Sequence, residues 1–218
     1  AKDPLDYLPT IRVNVDMDEK INPKEPLSIK LFLENRNPLN LNDLKIRIET
    51  EIPEFQKEVE VELPPQGKKT VEFSILPNPY TQPKEYTLFF VFESKGEAVK
   101  VVEQKMEILS SLPPFEVTPA EEMSYLKKSR TLTVRNTGNV RNTQQVKDPV
   151  SLWMLPIIRS DGKTEVIDGE RYLTWKAELG PNESVNIPVI INYRILVYVL
   201  IALLSMGGFY WYAQSPLS

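Results

Sequence analysis

The chain has 218 residues, which fits one or two domains, and its charged and hydrophobic shares are those of an ordinary globular protein. Its net charge of −4 argues against nucleic acid as a partner, because nucleic-acid-binding surfaces are basic. The chain has no Cys and no His, so disulfides, thiol nucleophiles, the commonest metal ligand and the usual proton shuttle are all excluded. We therefore predict a protein that is not an enzyme, with no cofactor, no bound metal and no small-molecule substrate.

Short segments that alternate apolar and polar residues run through residues 1–110. This period of two predicts half-buried β-strands, and turn sequences such as Asn22-Pro23 and Pro77-Asn78-Pro79 separate them. Seven such strands in about 100 residues are typical of an immunoglobulin-like β-sandwich. The predicted strands are Ile11–Val15, Leu27–Leu33, Leu44–Ile48, Glu58–Leu63, Thr70–Ile75, Tyr86–Phe92 and Ala98–Ile108.

A second immunoglobulin-like sandwich is predicted over residues 111–192, after the Pro113-Pro114 break. Only one strand follows its Leu179 turn, whereas three follow the matching Leu63 turn, so the second sandwich looks truncated. Its predicted strands are Phe115–Thr118, Thr131–Val134, Val150–Ile158, Thr164–Ile167, Arg171–Trp175 and Ser184–Ile191. We expect Trp153 and Trp175 to be core residues, because both lie in apolar segments.

Two motifs occur in both predicted sandwiches, which therefore look like diverged repeats. Residues 31–37 (LFLENRN) parallel residues 132–139 (LTVRNTGN), since each is an apolar strand that ends in Asn and a turn. Residues 63–71 (LPPQGKKTV) parallel residues 179–185 (LGPNESV), where Leu and a Pro- or Gly-rich turn precede a strand. The first copy departs from the second with Asn37-Pro38 in place of Gly-Asn.

These motifs resemble the CARDB and NEW3-type immunoglobulin-like modules that are common on archaeal and bacterial cell-surface proteins. Such modules usually act as non-catalytic spacers and binding units, so the resemblance implies a surface protein that binds other proteins. The layout of exterior sandwiches and one span is also similar to translocon-associated proteins, which are accessory subunits of export and glycosylation machinery.

One segment predicts a membrane-spanning helix. Ile195–Ala213 holds 19 residues without a charge, and Tyr and Trp residues lie at both of its ends, as in membrane-interface belts. We assign residues 193–214 to this helix and 215–218 to a short tail, so membrane lipid is a predicted partner. Ala202, Ser205 and Gly208 form a stripe of small residues that could face another helix, although membrane helices are rich in Gly in any case.

The orientation of this helix has two opposing signals. Arg194 is its only flanking cation and, by the positive-inside rule, would place the sandwiches in the cytoplasm. The chain begins at Ala1 rather than Met, which we interpret as removal of a signal peptide. We expect the sandwiches on the extracytoplasmic side of the cell membrane, with Ser218 in the cytoplasm.

Four further groups of residues are candidates for function. Asn182-Glu183-Ser184 is the only N-glycosylation sequon, and it lies in a predicted turn. The acidic residues Asp16, Asp18 and Glu19 could hold Ca²⁺, but the complete calcium-loop pattern is missing and a solvated turn is favoured. Glu121-Glu122 could form an acid/base pair, although no cleft is indicated. Ser184, Asn186, Pro188 and Ile190 would form an exposed sheet edge, covered by a partner, if the second sandwich is truncated.

The favoured interpretation is a membrane-anchored accessory or scaffold subunit, which binds protein partners through its sandwiches and docks a larger membrane complex through its helix. A free-standing surface adhesin or envelope component, in which the helix is only an anchor, is the alternative. Oligomeric state and the identity of any partner are not determined by the sequence.

Overall fold

The computed structural model describes residues 11–214, so Ala1 and the predicted 215–218 tail lie outside the described residues. The fold is all-β with one C-terminal helix, as predicted. The chain divides into two compact units. The first runs to Leu112 and includes Gly138–Val140, and the second consists of Pro113–Thr137 and the chain from Arg141 onward.

Within the described residues the first unit contains eight strands: β1 Ile11–Asp16, β2 Lys20–Ile21, β3 Leu27–Asn35, β4 Leu41–Glu49, β5 Glu58–Leu63, β6 Lys68–Ile75, β7 Glu85–Ser94 and β8 Glu97–Ile108. They form two sheets, one of three strands (β1-β3-β6) and one of five (β2-β8-β7-β4-β5). All neighbouring strands are antiparallel except the two-residue β2, which pairs in parallel with β8. A short 3₁₀ helix, Pro53–Phe55, connects β4 to β5.

One continuous apolar core lies between these two sheets. It forms because alternate residues of each strand point inward, as in β3, where Leu27, Ile29, Leu31 and Leu33 are buried and the residues between them are exposed or half-buried. The facing sheet adds buried residues from β4, β7 and β8, among them fully buried phenylalanines of β7. Each fully buried side chain of this size contributes about 1.5–3 kcal/mol to folding. The core accounts for the predicted alternation in all seven strands.

Up to Gln214, the last described residue, the second unit contains seven strands: β9 Glu116–Ser124, β10 Lys127–Arg135, β11 Asn142–Pro149, β12 Ile158–Arg159, β13 Lys163–Ile167, β14 Glu170–Leu179 and β15 Ser184–Asn192. They form two sheets, β12-β15-β10-β9 and β11-β14-β13. All pairs of neighbouring strands are antiparallel. A 3₁₀ helix, Leu152–Ile157, connects β11 to β12.

The core of the second unit is smaller and falls into two clusters, one around Val134, Val146 and Leu179 and the other around Val150, Leu173 and Val189. Trp175 of β14 is half-buried and packs against both clusters. A Cβ atom at Gly162 would lie 2.6 Å from the Trp175 indole, so only glycine lets this loop cover the ring so closely. Trp175 is therefore the residue that joins the two halves of this core.

Two expectations for the second unit are wrong. The segment predicted as a strand over Val150–Ile158 is largely the 3₁₀ helix, in which Pro156 cannot donate to a strand ladder. Beside β14, opposite β13, lies β11, a strand that the sequence did not predict. Trp153 is 59% exposed rather than a core residue, because the 3₁₀ helix turns Met154, Leu155 and Ile157 toward the core and leaves Trp153 outside.

A buried asparagine at the end of a strand occurs in both units. The Asn35 side-chain amide donates to the carbonyls of Leu63 and Pro64 at 3.2 and 3.0 Å, and to that of Leu39. In the second unit, the Asn136 amide donates to the carbonyls of Leu179 and Gly180 at 3.0 and 3.1 Å. These are the residues that the sequence motifs align, so the two motifs are one structural element used twice.

The C-terminal helix α1, Arg194–Gln214, begins two residues after β15 ends. Asn192 accepts a hydrogen bond from the backbone N–H of Arg194 through its side-chain oxygen, which satisfies one of the unpaired donors of the first turn. No residue of α1 is buried. The helix is long and apolar enough to cross a membrane.

We expect Asn136→Ala to destabilise the second unit by about 1–3 kcal/mol, because it removes two buried hydrogen bonds, those from the Asn136 amide to the Leu179 and Gly180 carbonyls. Asn186→Ala is the matched control: Asn186 is exposed, and its side chain accepts a hydrogen bond from Thr133 at the surface. This control should change the stability by no more than about 0.5 kcal/mol. Urea unfolding of the detergent-solubilised chain measures both, and equal effects of the two variants would contradict the role assigned to Asn136.

Candidate interaction surfaces

The predicted partner-facing strand β15 is paired along the whole of one side and over two residues of the other. It pairs over its full length with β10, from Arg135↔Ser184 to Lys127↔Asn192. On its other side β12 pairs with Ile190 and Ile191. Ile190 therefore does not lie on an open edge, because the segment between β11 and β14 adds a strand there. For Ser184, Asn186 and Pro188, which have no strand partner on that side within the described residues, a partner-facing role remains a prediction.

The open edge that corresponds to the missing strands is β11. In the first unit β4 pairs with β5 on one side and with β7 on the other. The equivalent strand β11 pairs with β14, and within residues 11–214 no strand takes the place of β7. Exposed Lys147 and Pro149 lie on β11, and both residue types blunt an edge against pairing with another chain. The truncation inferred from the sequence thus affects the β11 edge.

The sequon residue Asn182 lies at the tip of the turn between β14 and β15. It is exposed and adopts a left-handed backbone conformation, φ 59°, which asparagine tolerates better than most residues. Its side-chain oxygen accepts hydrogen bonds from the guanidinium of Arg135, one of them at 3.1 Å from Nε. Glycan attachment at Asn182 remains a prediction, and the turn presents the side chain at the surface.

The small-residue stripe of α1 has no packing partner within the described chain. Ala202, Ser205 and Gly208 are exposed, and a Cβ atom at Gly208 would meet nothing within 4 Å. The Ser205 hydroxyl donates to the Ile201 carbonyl at 2.8 Å, so its polar group is satisfied within the helix. The stripe could therefore enter lipid or pack against another helix without leaving a polar group unpaired.

Glu121 and Glu122, the disfavoured acid/base candidates, lie on β9 beside β10. Glu121 of β9 contacts cations of the neighbouring strand β10, with 2.8 Å to Lys128 Nζ and 3.4 Å to Arg130 Nε. The hydrogen bond from Lys128 holds the pKa of Glu121 below its usual range, so this carboxylate is the ionised partner of a cation. Glu121 therefore belongs to an ion-pair cluster, a structural role rather than that of a proton donor.

The same cluster bridges the two sheets of the second unit. Arg130 Nη1 lies 2.8 Å from Oδ1 of Asp148, a buried residue of β11 in the facing sheet. Burial raises the pKa of Asp148 above its usual range, although the positive charge of Arg130 acts in the opposite direction. Such a buried carboxylate requires its cation, so Arg130 and Asp148 tie β10 to β11 across the two sheets.

The remaining acidic loop shows no ligand geometry. Asp16, Asp18 and Glu19 are exposed, and the described residues contain no group of three acidic side chains that could hold a metal ion.

On the outer face of β1-β3-β6, Phe32 is 42% exposed in a shallow depression lined by Arg12, Glu34 and Lys69. An exposed aromatic ring among charged side chains is a common composition for a protein-binding surface.

No protein-family model matches the sequence, and the comparison with curated proteins also found no match. Among solved structures, the chain is similar to the CARDB domain of a protein from Pyrococcus furiosus, with 17% identity and a TM-score of 0.39 over 46% of this chain and 95% of that domain. The predicted resemblance to CARDB-type modules is therefore confirmed, as a likeness of fold. A second similar structure is the alpha-2-macroglobulin of E. coli, with 11% identity and a TM-score of 0.32 over 84% of this chain and 14% of that protein.

We expect Arg130→Met to destabilise the second unit by about 3 kcal/mol at pH 7, because it leaves the Asp148 carboxylate buried without its cation. The pKa of Asp148 would rise further above its unfolded value. The penalty should therefore be small near the usual Asp pKa of about 4, where the native carboxyl holds a proton, and should grow as the pH rises through the raised native pKa.

Lys128→Met is the control for this pair, since it removes the other cation of the same cluster, which contacts the exposed carboxylate of Glu121 and has no ion pair with Asp148. It should cost no more than about 1 kcal/mol. Urea unfolding at pH 4 and pH 7 measures both variants. A loss for Arg130→Met that does not depend on pH would show that the guanidinium acts through packing and not through the Asp148 charge.

Proposed function

We propose that this chain is a non-catalytic, membrane-anchored accessory or scaffold subunit. Its two sandwich units bind protein partners on the extracytoplasmic side, and α1 crosses the cell membrane and docks on other membrane-protein subunits. Export or glycosylation machinery is the kind of complex that such a layout fits. A surface module with a single membrane anchor is the part of this proposal that the fold and the helix together support most directly.

The observation that carries the proposal is the state of α1. Its 21 residues contain no charge after Arg194, and none of them is buried. A core helix would be covered by the rest of the fold, and a secretory signal sequence would precede the folded units rather than follow them. Exposed to water on every side, such a helix would be strongly unfavourable, whereas its length of about 31 Å matches the hydrocarbon thickness of a bilayer.

A binding role for the sandwiches is supported by their surfaces. The Phe32 depression combines an exposed ring with Arg12 and Lys69, and Glu34 holds both Arg12 and Arg36 within 4 Å. The fixed ion pairs around the ring leave it as the apolar centre of a charged rim, which is the anatomy of a protein interface.

We expect the sandwiches to be accessible from outside the cell. Protease added to right-side-out vesicles should digest both units, and the same protease added to inverted vesicles should leave them intact. Protection in right-side-out vesicles would instead show that Arg194 marks the cytoplasmic side.

In a host that glycosylates Asn-x-Ser sequons, the chain should carry a glycan, and Ser184→Ala should remove it without changing the Asn182 turn.

We expect Gly208→Leu to abolish co-purification of membrane subunits in mild detergent, because helices in membranes associate through close approach at small residues. Gly207→Leu is the matched control. It adds the same side chain about 100° around the helix, and neither glycine has a neighbour within 4 Å in the chain itself. Membrane insertion should be normal for both variants. Equal co-purification of both would favour the alternative, a free-standing surface protein for which α1 is only an anchor.

A further inference from the structure

The end of the second unit next to α1 is built from three loops. The β9–β10 hairpin turn carries Tyr125 and Leu126, and β10 begins opposite Asn192, the last residue of β15. The 3₁₀ helix Leu152–Ile157 leads into β12, whose Ile158 pairs with Ile191. The β13–β14 turn at Asp168-Gly169 closes the facing sheet, close to Arg171, whose carbonyl accepts from Val150 N–H at 2.9 Å. All three loops therefore lie at the end from which the helix leaves.

Hydrogen bonds fix the hairpin turn to the start of the helix. The backbone N–H of Tyr193 donates to the Leu126 carbonyl at 2.9 Å, and Nη2 of Arg194 donates to the Tyr125 carbonyl at 3.2 Å. The helix is only about 31 Å long, so if it crosses a hydrocarbon layer about 30 Å thick, its first residue must lie at the layer's boundary. The turn that is bonded to this residue must then lie at the same level.

The side chains of this turn suit such a position. Tyr125 is 80% exposed and Met123, two residues before it, is 74% exposed. An apolar chain and a ring with a hydroxyl, both directed away from the sandwich, cost free energy in water, but they are favourable in the headgroup region, where Tyr is enriched. Lys127 follows them and is exposed, so it can reach the lipid phosphates.

The 3₁₀ helix forms a second exposed apolar site at the same end. It crosses from β11 in one sheet to β12 in the other and so covers the end of the core. Met154 and Leu155 pack inward against this core. Leu152 and Trp153 face away from it and are 67% and 59% exposed. Both side chains are therefore exposed at the end of the unit from which the helix leaves, and Trp is the residue most typical of membrane interfaces.

The charges at this end limit the depth of any contact. Exposed Arg159 adjoins the 3₁₀ helix, and exposed Asp168 and Glu170 lie in the β13–β14 turn. Carboxylates are not tolerated in hydrocarbon without a partner. The arrangement therefore fits a shallow seat among the lipid headgroups, not insertion into the acyl chains.

We propose that this end of the second unit is a membrane-contact surface, in which Tyr125 and Trp153 anchor the sandwich in the lipid headgroup layer on the side where α1 enters. The inference rests on the proposed membrane crossing of α1, and it holds for either orientation of the chain. The sandwich is then held upright on the bilayer by two aromatic contacts in addition to the helix. The short Asn192-Tyr193 connection is fastened to the hairpin turn and cannot act as a free hinge.

The chain lends itself to a direct test because it contains no Cys. Single nitroxide labels at Met123→Cys and Leu152→Cys, in the full chain reconstituted into phosphatidylcholine vesicles, report on the surface and leave both anchors in place. Ser184→Cys, at the opposite end of the second unit, gives the value for water, and Leu204→Cys, in the middle of α1, gives the value for lipid. The measurement is the collision rate with oxygen, which concentrates in lipid, relative to a water-soluble nickel complex.

We expect the oxygen-to-nickel ratio at positions 123 and 152 to be several-fold higher than at 184 and lower than at 204. Tyr125→Ser combined with Trp153→Ser should lower the ratio at 152 toward that at 184, whereas 123 should stay near the interface because backbone hydrogen bonds hold the hairpin turn to the start of α1, and 204 should be unchanged. Ratios at 123 and 152 equal to 184, with lipid-like values at 204, overturn this inference and leave the membrane crossing intact. Shielding of positions 123 and 152 from both reagents means a protein partner there and also overturns it. Water-like values at 204 refute the membrane crossing itself.

Discussion

In each unit a single buried asparagine holds the turn that leads into the strand beside its own, β6 beside β3 in the first unit and β15 beside β10 in the second. Asn35 lies at the end of β3 and binds the turn that leads into β6, the strand beside β3. Asn136 follows β10 and binds the turn that leads into β15, the strand beside β10. The Pro64 and Gly180 carbonyls also accept N–H groups of their own turns, from Gly67 at 2.9 Å and from Glu183 at 3.2 Å. The asparagine amide adds the side-chain hydrogen bonds that join each turn to the end of the strand. With the amide in place, the turn is fixed against the strand end, and the register of the following strand is set.

The two turns reach the same geometry with different residues. In the first unit a Cβ atom at Gly67 would lie 2.6 Å from the ring of Pro64, so the fourth turn position must be glycine. In the second unit Gly180 replaces this proline, and Glu183 can occupy the fourth position. The Glu183 carboxylate then accepts the Gly180 N–H at 2.6 Å, a donor that proline lacks. Gln66 and Asn182, at the equivalent third position, both have positive φ. The backbone geometry is thus shared, and the sequence differences compensate one another.

The sequence predicted those elements whose inner positions are apolar. The strands of the first unit were found because residues such as Leu31 and Leu33 alternate with polar ones. The motif with Asn136 was recognised through its copy. Strand β11 was missed because only Val146 among its inner residues is apolar, whereas Gln144 binds backbone groups of Pro113 and Phe115, and Asp148 binds Arg130. Inward-facing polar residues satisfied by distant partners leave no periodic signal.

The candidate interaction surfaces were less predictable than the fold, for a related reason. The apolar segment Val150–Ile158 indicated burial, but a 3₁₀ helix with three residues per turn directs Leu152 and Trp153 outward while their neighbours pack inward. Whether an apolar residue of such a segment is core or surface depends on where the segment crosses the sandwich. Likewise, the role of Glu121 depends on two cations of β10, Arg130 opposite it in the ladder and Lys128 diagonal to it, which are close to it only in the folded sheet.

The missing strands of the second unit follow from the presence of the helix. In the first unit the chain continues after β6 into β7 and β8, which complete the second sheet and bury Phe90 and Phe92. In the second unit the chain after β15 continues directly into α1, and no strand within the described residues occupies the place of β7. The closing strands come instead from the segment between β11 and β14, as β12 beside β15 and β13 beside β14. The exchange leaves the β11 edge open. The strand that precedes α1 is β15, which pairs with β10 over nine residues in the middle of its sheet. A force on the helix therefore acts on this central pair of strands and not on an edge strand.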